Sequence, residues 1–503
     1  PPPIADGRPL PWGGAVEMTT TPARNHALLC QEVDTELREL CAECKKKFPI
    51  IKEYTERALH RIKAHKDVAE AEVAKGHADG LPEFPLDEVL RAILMACETF
   101  QNKIVLSSLN CLRMLILRGV VKDETIAIVI NLMKEQAMNG DESVQLKVIQ
   151  TVMATPARMT LLNEAVVEQL MQLLFVLHNS ASASVHHTAE AGLTALAEKM
   201  ADRAATEVGQ LEPRPREEFD AIRPLIRRSS GPMPTVQPAP APARLPDPVK
   251  MFYSFVQDLC VMADYDVSSL SSRYVVDAGE RMRTGAREGY WLCTIKFPRP
   301  LCLDVLGTCV SAHPTIFTGS PECFTLLRHN LCTTLLKNLK GCFDFAILIR
   351  SISVLQKLLQ NQALARLLLP ELHVFMHIMI ELVHADRSPW QRATSLEFLK
   401  SVCEDPQALV VLYEQGAANG PQPGQRTFLD LTTTLSKLIH QVCFNSGMDS
   451  ASLLQSATGG GVGGVATSSS SASTGAAGGT GGAMSGTPSM PRTVANFGDL
   501  GRG

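Results

Sequence analysis

Apolar residues return at every third or fourth position through two long stretches of this chain, with no strand-like alternation interleaved. In residues 85–100 the series Leu86, Val89, Leu90, Ile93, Leu94, Cys97 and Phe100 draws one stripe down a helix, and Pro85 suits its first turn. Val105, Leu109, Leu112 and Ile116 then step alternately by four and three, and Gly119 is placed to stop that helix. Further helices are expected after Asp123, after Asp141/Ser143, over 161–177 and over 184–200. The second stretch repeats the pattern over 249–262, 292–312, 322–339, 343–360, 362–382, 389–403 and 428–443. Pro370 should break or kink the fifth of these, and Ser388-Pro389 offers a cap followed by Pro at the first helical position.

Helices of this kind, joined by short turns, bury their stripes by stacking on one another. The predicted fold is all-α, an α-solenoid of degenerate HEAT/armadillo-like helical repeats without a strict sequence period. Aromatic residues make up only 5% of the chain, which withholds the usual strand residues and agrees with Leu/Ala-rich helical packing. The boundaries follow from composition. Residues 1–21 are Pro/Gly-rich and expected to be disordered; 22–209 form one helical block; 210–248 form a Pro-rich linker expected to be an extended spacer that holds no helix; 249–446 form a second block; and 447–503 form a disordered Gly/Ser-rich tail. A net charge of −4 gives no global reason to expect a nucleic-acid binder. The fourteen Cys lie mostly singly in apolar stretches and read as reduced core residues of a cytosolic protein. The N-terminus does not look like a signal peptide, and no run of about 18 apolar residues occurs, so any membrane association is expected to be peripheral.

Candidate chemistry is sparse. Cys41 and Cys44 have the spacing of half a zinc site, but no second pair accompanies them, and core packing is the better account. His373, His377, Glu381 and His384 share one helical face and could approach a divalent metal; a polar stripe on an apolar helix explains them more simply. The pair His186-His187 with Glu190 one turn on is a weaker candidate still. Gly459, Gly461 and Gly464 spell a dinucleotide-binding motif without its strand or helix. No phosphate-binding loop or nucleophile elbow is present, so no catalytic residue, cofactor or metal ligand is assigned, and the chain reads as a protein-binding scaffold rather than an enzyme. Lys45, Lys46 and Lys47 form a basic run at a helix end, a solvated cap in the plain reading and a partner or membrane contact in the functional one.

Three segments carry a family resemblance. Residues 37–52, LRELCAECKKKFPIIK, resemble the start of the dimerisation and cyclophilin-binding (DCB) domain of the Mon-two family, through Leu37, Leu40, the run from Cys44 to Phe48-Pro49, and Lys52-Glu53. Residues 251–260, MFYSFVQDLC, resemble the opening of that family's homology-upstream-of-Sec-seven (HUS) domain, with Phe252, Gln257, Asp258, Leu259 and Cys260. Residues 386–403 are similar to a third family segment, through Asp386, Arg387, Pro389, Trp390 and Arg392. Departures are an insertion near 267–289, the absence of the Asn-Tyr-Asp-Cys box of the true exchange factors, and the absence of the Phe-Arg-Leu-Pro-Gly-Glu segment of a Sec-seven catalytic domain. The resemblance implies a DCB-like block, linker and HUS-like block, from the N-terminal portion of a longer protein or a truncated homologue. It also implies a peripheral scaffold of the trans-Golgi network and endosomes in retrieval and vacuolar sorting. The implied partners are a second copy, a Dopey-family protein, a phospholipid flippase and an Arf-like GTPase. The alternative is the regulatory half of an ARF exchange factor. Within the landmarks, Phe252, Phe255 and Leu259 are expected to form one buried stripe, Trp390 to anchor an inter-helix contact, and Arg392 to pair with Asp386.

Overall fold

The computed structural model describes residues 22–44, 47–74, 83–155, 164–222, 244–264, 297–341, 344–384, 387–414 and 423–445, and every regular element among them is helical. Lys45, Lys46, Asp386, the insertion near 267–289, the Pro-Ala alternation, residues 1–21 and the Gly/Ser tail lie outside the described residues. The chain forms two compact units that meet in sequence between Ser436 and Lys437, and both helical blocks up to Ser436 belong to the larger one.

The first block runs through α1 (Pro22–Cys44), α2 (Pro49–Ala74), α3 (Leu86–Cys97), α4 (Asn102–Leu117), α5 (Asp123–Ala137), α6 (Glu142–Ala154), α7 (Glu164–His178) and α8 (Ala183–Gln210). Local chemistry sets several of these ends. Gly119 adopts φ 71, and the amides of Gly119 and Val120 turn back to the carbonyls of Ile116 and Leu115, closing α4 with a left-handed cap. Asp141 caps α6 by accepting from the Val144 amide at 3.0 Å, and Ser182 caps α8 through the Val185 amide.

The linker and second block supply α9 (Arg216–Asp220), α10 (Asp247–Ala263), α11 (Arg299–Ala312), α12 (Pro314–Gly319), α13 (Pro321–Leu326), α14 (Cys332–Gly341), α15 (Phe345–Gln360), α16 (Gln362–Leu367), α17 (Leu369–Leu382), α18 (Pro389–Glu404), α19 (Pro406–Glu414) and α20 (Pro423–Asn445). Pro370 stands in the first turn of α17 and separates it from α16, because its ring forbids a continuous helix. Ser388 and Gln391 form a capping box at the start of α18. The single helix expected over 322–339 is interrupted by a π-turn, Leu327–Leu331, that joins α13 to α14.

One expectation is corrected. The segment read as a helix-free spacer contains α9, which starts immediately after Pro215. The prolines flank this turn instead of interrupting it, so Pro215 precedes a stretch free to hydrogen-bond. Phe219 is buried at 5.7 Å from the Phe324 ring, so this part of the linker is docked on the second block. At the other described end of the linker, Leu245 is buried and Arg244 pairs with Glu322.

Successive helices of the first block pack on one another except α4 and α5, and from α3 onward each packs on the next but one, the arrangement of a helical-repeat solenoid. One row of packed helices, α4, α6, α8, α11, α15 and α18, passes through both blocks. Helix α8 is the shared member. It packs on α6 and α7 on one side and on α10, α11 and α12 on the other, so the two blocks are joined by side-chain packing as well as by chain. The largest buried side chains include Phe252, Phe255, Phe317, Phe324 and Phe398, all in the second block.

Candidate functional site

The α1–α2 corner is the first place where landmark residues meet solvent. The Phe48 amide donates to the Cys44 carbonyl at the end of α1 and the Lys52 amide to the Phe48 carbonyl, so Phe48 is hydrogen-bonded to both helices. Lys47 and Pro49 are exposed and Phe48 is half-buried. Beside them opens a groove of about 920 Å³, lined by Arg38, Cys41, Cys44, Lys47, Lys52 and Glu56 among others. Burial pushes the Cys44 thiol up to about 11 and raises Cys41 as well, so neither is poised as a thiolate ligand or nucleophile. On the other side of α1 a second groove, of about 580 Å³, is bounded by the Glu32–Arg118 ion pair together with Glu36 and Arg113. Both grooves mix charges of opposite sign along an exposed helix, which suits a protein segment better than a uniformly anionic surface. The apolar side chain of Ile50 stands exposed at the same corner.

The second landmark is interior. Phe252, Phe255, Gln257, Asp258, Leu259 and Cys260 are all buried in α10, which packs against α8, α11 and the π-turn. In the third, Trp390 meets Phe345 edge-on at 5.6 Å, linking α18 to α15, and the Arg392 guanidinium donates to the Val383 carbonyl at the end of α17. Arg392 therefore caps a helix terminus; its expected partner Asp386 lies outside the described residues.

Sequence reading missed the polar link at the centre of the second block. Arg328, in the π-turn, pairs with Glu371 at 3.2 Å; the two side chains are 5% and 2% exposed. Arg328 also donates to the carbonyls of Ile222 and Leu367 and lies over the Phe324 ring. A single guanidinium thus ties the end of the linker helix α9, the break at Pro370 and α13 together. No local pattern marks it, since its ion-pair and hydrogen-bond partners are 39 or more positions away in the chain. Nearby, α14 closes the end of α10: Thr334 and Asn338 donate to the carbonyls of Cys260 and Ala263, and Lys337 pairs with Asp264.

The candidate metal ligands separate in the fold. His373 turns to the Leu412 carbonyl while His377 pairs with Glu381 on the surface, so that stripe does not converge. Among the described residues one group does converge, His178, His186 and Glu190. The sequence offered only its second half, because His178 belongs to the preceding helix.

Comparison with known proteins fits this frame. Residues 24–208 match the model of the Mon2/Sec7/BIG1-like dimerisation and cyclophilin-binding domain, and residues 293–415 that of the Mon2/Sec7/BIG1-like HUS domain. The Xenopus laevis protein named Protein MON2 homolog is 24% identical over 453 residues, covering 86% of this chain and 24% of that protein. The Homo sapiens protein of the same name is 23% identical over 435 residues, covering 82% and 23%. That of Drosophila melanogaster is 22% identical over 394 residues, covering 73% and 20%. The chain spans about a quarter of the length of the first two of these relatives. With DCB and HUS domains in order on one helical stack, and relatives of one name along most of its length, the chain belongs to the Mon2/Sec7/BIG1-like family as a Mon2 homologue.

Proposed function

We propose that this chain is the docking portion of a non-enzymatic, peripheral membrane scaffold in vesicle-mediated protein transport, acting at the trans-Golgi network and endosomes in retrieval and vacuolar sorting. The observation that carries this reading is the packing of the DCB and HUS domains onto one shared helix, α8, so that a partner held by one block is positioned with respect to the other. A helical stack of this kind works by presenting surface, and fold alone does not name the partners. The DCB domain is described as a dimerisation domain, which supports self-association. The proposed contact is the basic run Lys45, Lys46 and Lys47, of which Lys47 is exposed at the α1–α2 corner, and the groove of mixed charge beside it suits a second copy. Membership of the family supports a Dopey-family protein, a phospholipid flippase and an Arf-like GTPase as further partners. No helix among the described residues is long and apolar enough to cross a membrane, and membrane recruitment is proposed to be peripheral.

The test is co-precipitation of the tagged chain with candidate partners from Golgi-enriched lysate, alongside localisation of the same chain in cells. Enrichment of at least one proposed partner and colocalisation with trans-Golgi or endosomal markers is the expected result. Diffuse distribution with none of these partners captured overturns the proposal.

A further inference from the structure

We infer that His178, His186 and Glu190 form a binding site for a divalent transition metal of the zinc class at the corner between α7 and α8. His178 is the last residue of α7, His186 lies in the first turn of α8, and Glu190 follows one turn later on the same face. One potential ligand atom from each lies within 4.8 Å of the others. A tetrahedral site with bonds of about 2.0–2.1 Å needs about 3.4 Å between ligand atoms, a distance that small side-chain rotations supply.

Two features set this group apart from a chance surface cluster. The His178 side chain is only 7% exposed, and its Nδ1 is buried without a hydrogen-bond partner. A polar atom left so is unfavourable by about 1–3 kcal/mol unless something satisfies it, and a cation does so. The second feature is the tautomer of His186. Its Nδ1 lies 2.5 Å from the His178 carbonyl oxygen, which can only accept, so Nδ1 carries the proton and Nε2 of the neutral ring keeps its lone pair. A backbone carbonyl holding one ring nitrogen while the other is left for a metal is the usual outer-shell arrangement of a metal-binding histidine.

The corner is already held in place. Ser180 Oγ donates to the Gln145 side chain, the Asn179 side chain donates to the Phe175 carbonyl, and Ser182 caps α8. Phe175 stacks on the His178 ring at 6.3 Å. Two imidazoles and one carboxylate suit zinc, nickel or copper, whereas calcium and magnesium prefer oxygen ligands alone. Glu190 now faces the exposed His187 at 3.7 Å and would exchange that contact for the metal. The remaining coordination position is left to water. Phe175 also meets Phe297 of the second block edge-on at 4.9 Å, so a metal clip at this corner would stiffen the junction between the blocks.

The experiment uses the full chain, stripped with chelator and titrated with Zn²⁺ against a chromophoric competitor, with Co²⁺ spectra as a second readout. The variants are His186→Ala, Glu190→Gln and, as a control, His187→Ala, each checked by circular dichroism. The expected result is one equivalent of zinc bound by the parent and by His187→Ala, with affinity reduced about tenfold or more in the other two. If His186→Ala proves misfolded, the near-isosteric Glu190→Gln decides alone. Absence of zinc binding, equal binding in all variants, or a Co²⁺ spectrum with thiolate charge-transfer bands, which would place the ion on cysteines, overturns the proposal.

Discussion

Replacing Arg328 by Met tests how the second block is held together. The guanidinium lies in the interior, paired with Glu371, donating to two backbone carbonyls and lying 4.7 Å from the Phe324 ring centroid. Met fills a similar volume but leaves the Glu371 side chain, 2% exposed, without its cation. Breaking a buried pair from one side is destabilising by about 3–5 kcal/mol. The stranded carbonyls of Ile222 and Leu367 push the value towards the upper end of that range. The double variant Arg328→Met/Glu371→Met removes the unpaired charge along with its partner and leaves the two carbonyls unsatisfied. It should return to within about 1–3 kcal/mol of the parent. Urea unfolding followed by circular dichroism reads both differences from the midpoints, provided the slopes agree. Because Arg328 also holds Ile222, trypsin cleavage at Arg216 in the linker helix should accelerate in the single variant. A single variant within about 1 kcal/mol of the parent, or a double variant no more stable than the single, refutes the argument.

Other expected outcomes are tied to particular contacts. Phe252→Ala empties a fully buried site in α10 and should destabilise by about 3–5 kcal/mol in the same urea assay. Asp141→Ala removes the α6 cap together with the hydrogen bond from Asn102, and a loss of about 1–2 kcal/mol is expected in urea. Phe100 holds φ 52 with its side chain exposed; Phe100→Gly relieves the left-handed strain and should raise the midpoint, a gain of about 1 kcal/mol. Burial holds His329 and His373 below the ordinary imidazole value of about 6.5, so the unfolded chain binds more protons than the folded one in the window just beneath it. Their contribution is complete above about pH 6.5 and declines as the pH falls towards the lowered folded values; urea midpoints across that window should drop, and His373→Gln should flatten the slope.

The parts of the fold that were legible in the sequence are those written within one helical turn. The stripe of α3, the Gly119 stop, the Asp141 cap, the break at Pro370 and the Ser388-Pro389 start each depend on neighbours in sequence, and each helix end lies close to its signal. Short helices escaped. The pieces Pro314–Gly319 and Pro406–Glu414 complete too few turns for a stripe to show, and the α9 turn was hidden by the prolines around it. Contacts between distant elements escaped for a different reason. Arg328 reads as one more arginine in an amphipathic helix until the π-turn points it inward at Glu371. The histidine group was half legible, because His186 and Glu190 share a helix face while His178 approaches across a turn. The joining of the two blocks through α8 could not be read either, since a helix that packs on both sides has much the same period as one that packs on one.

The most direct test of the central claim, that this chain works by contacts made on its helical surface beginning with a second copy of itself, is multi-angle light scattering over a range of concentrations. The parent chain is measured beside a Lys45→Glu/Lys46→Glu/Lys47→Glu variant. A mass that rises from monomer to dimer with concentration in the parent, and stays monomeric in the variant, is the predicted result. A parent chain that remains a monomer at every concentration contradicts the account.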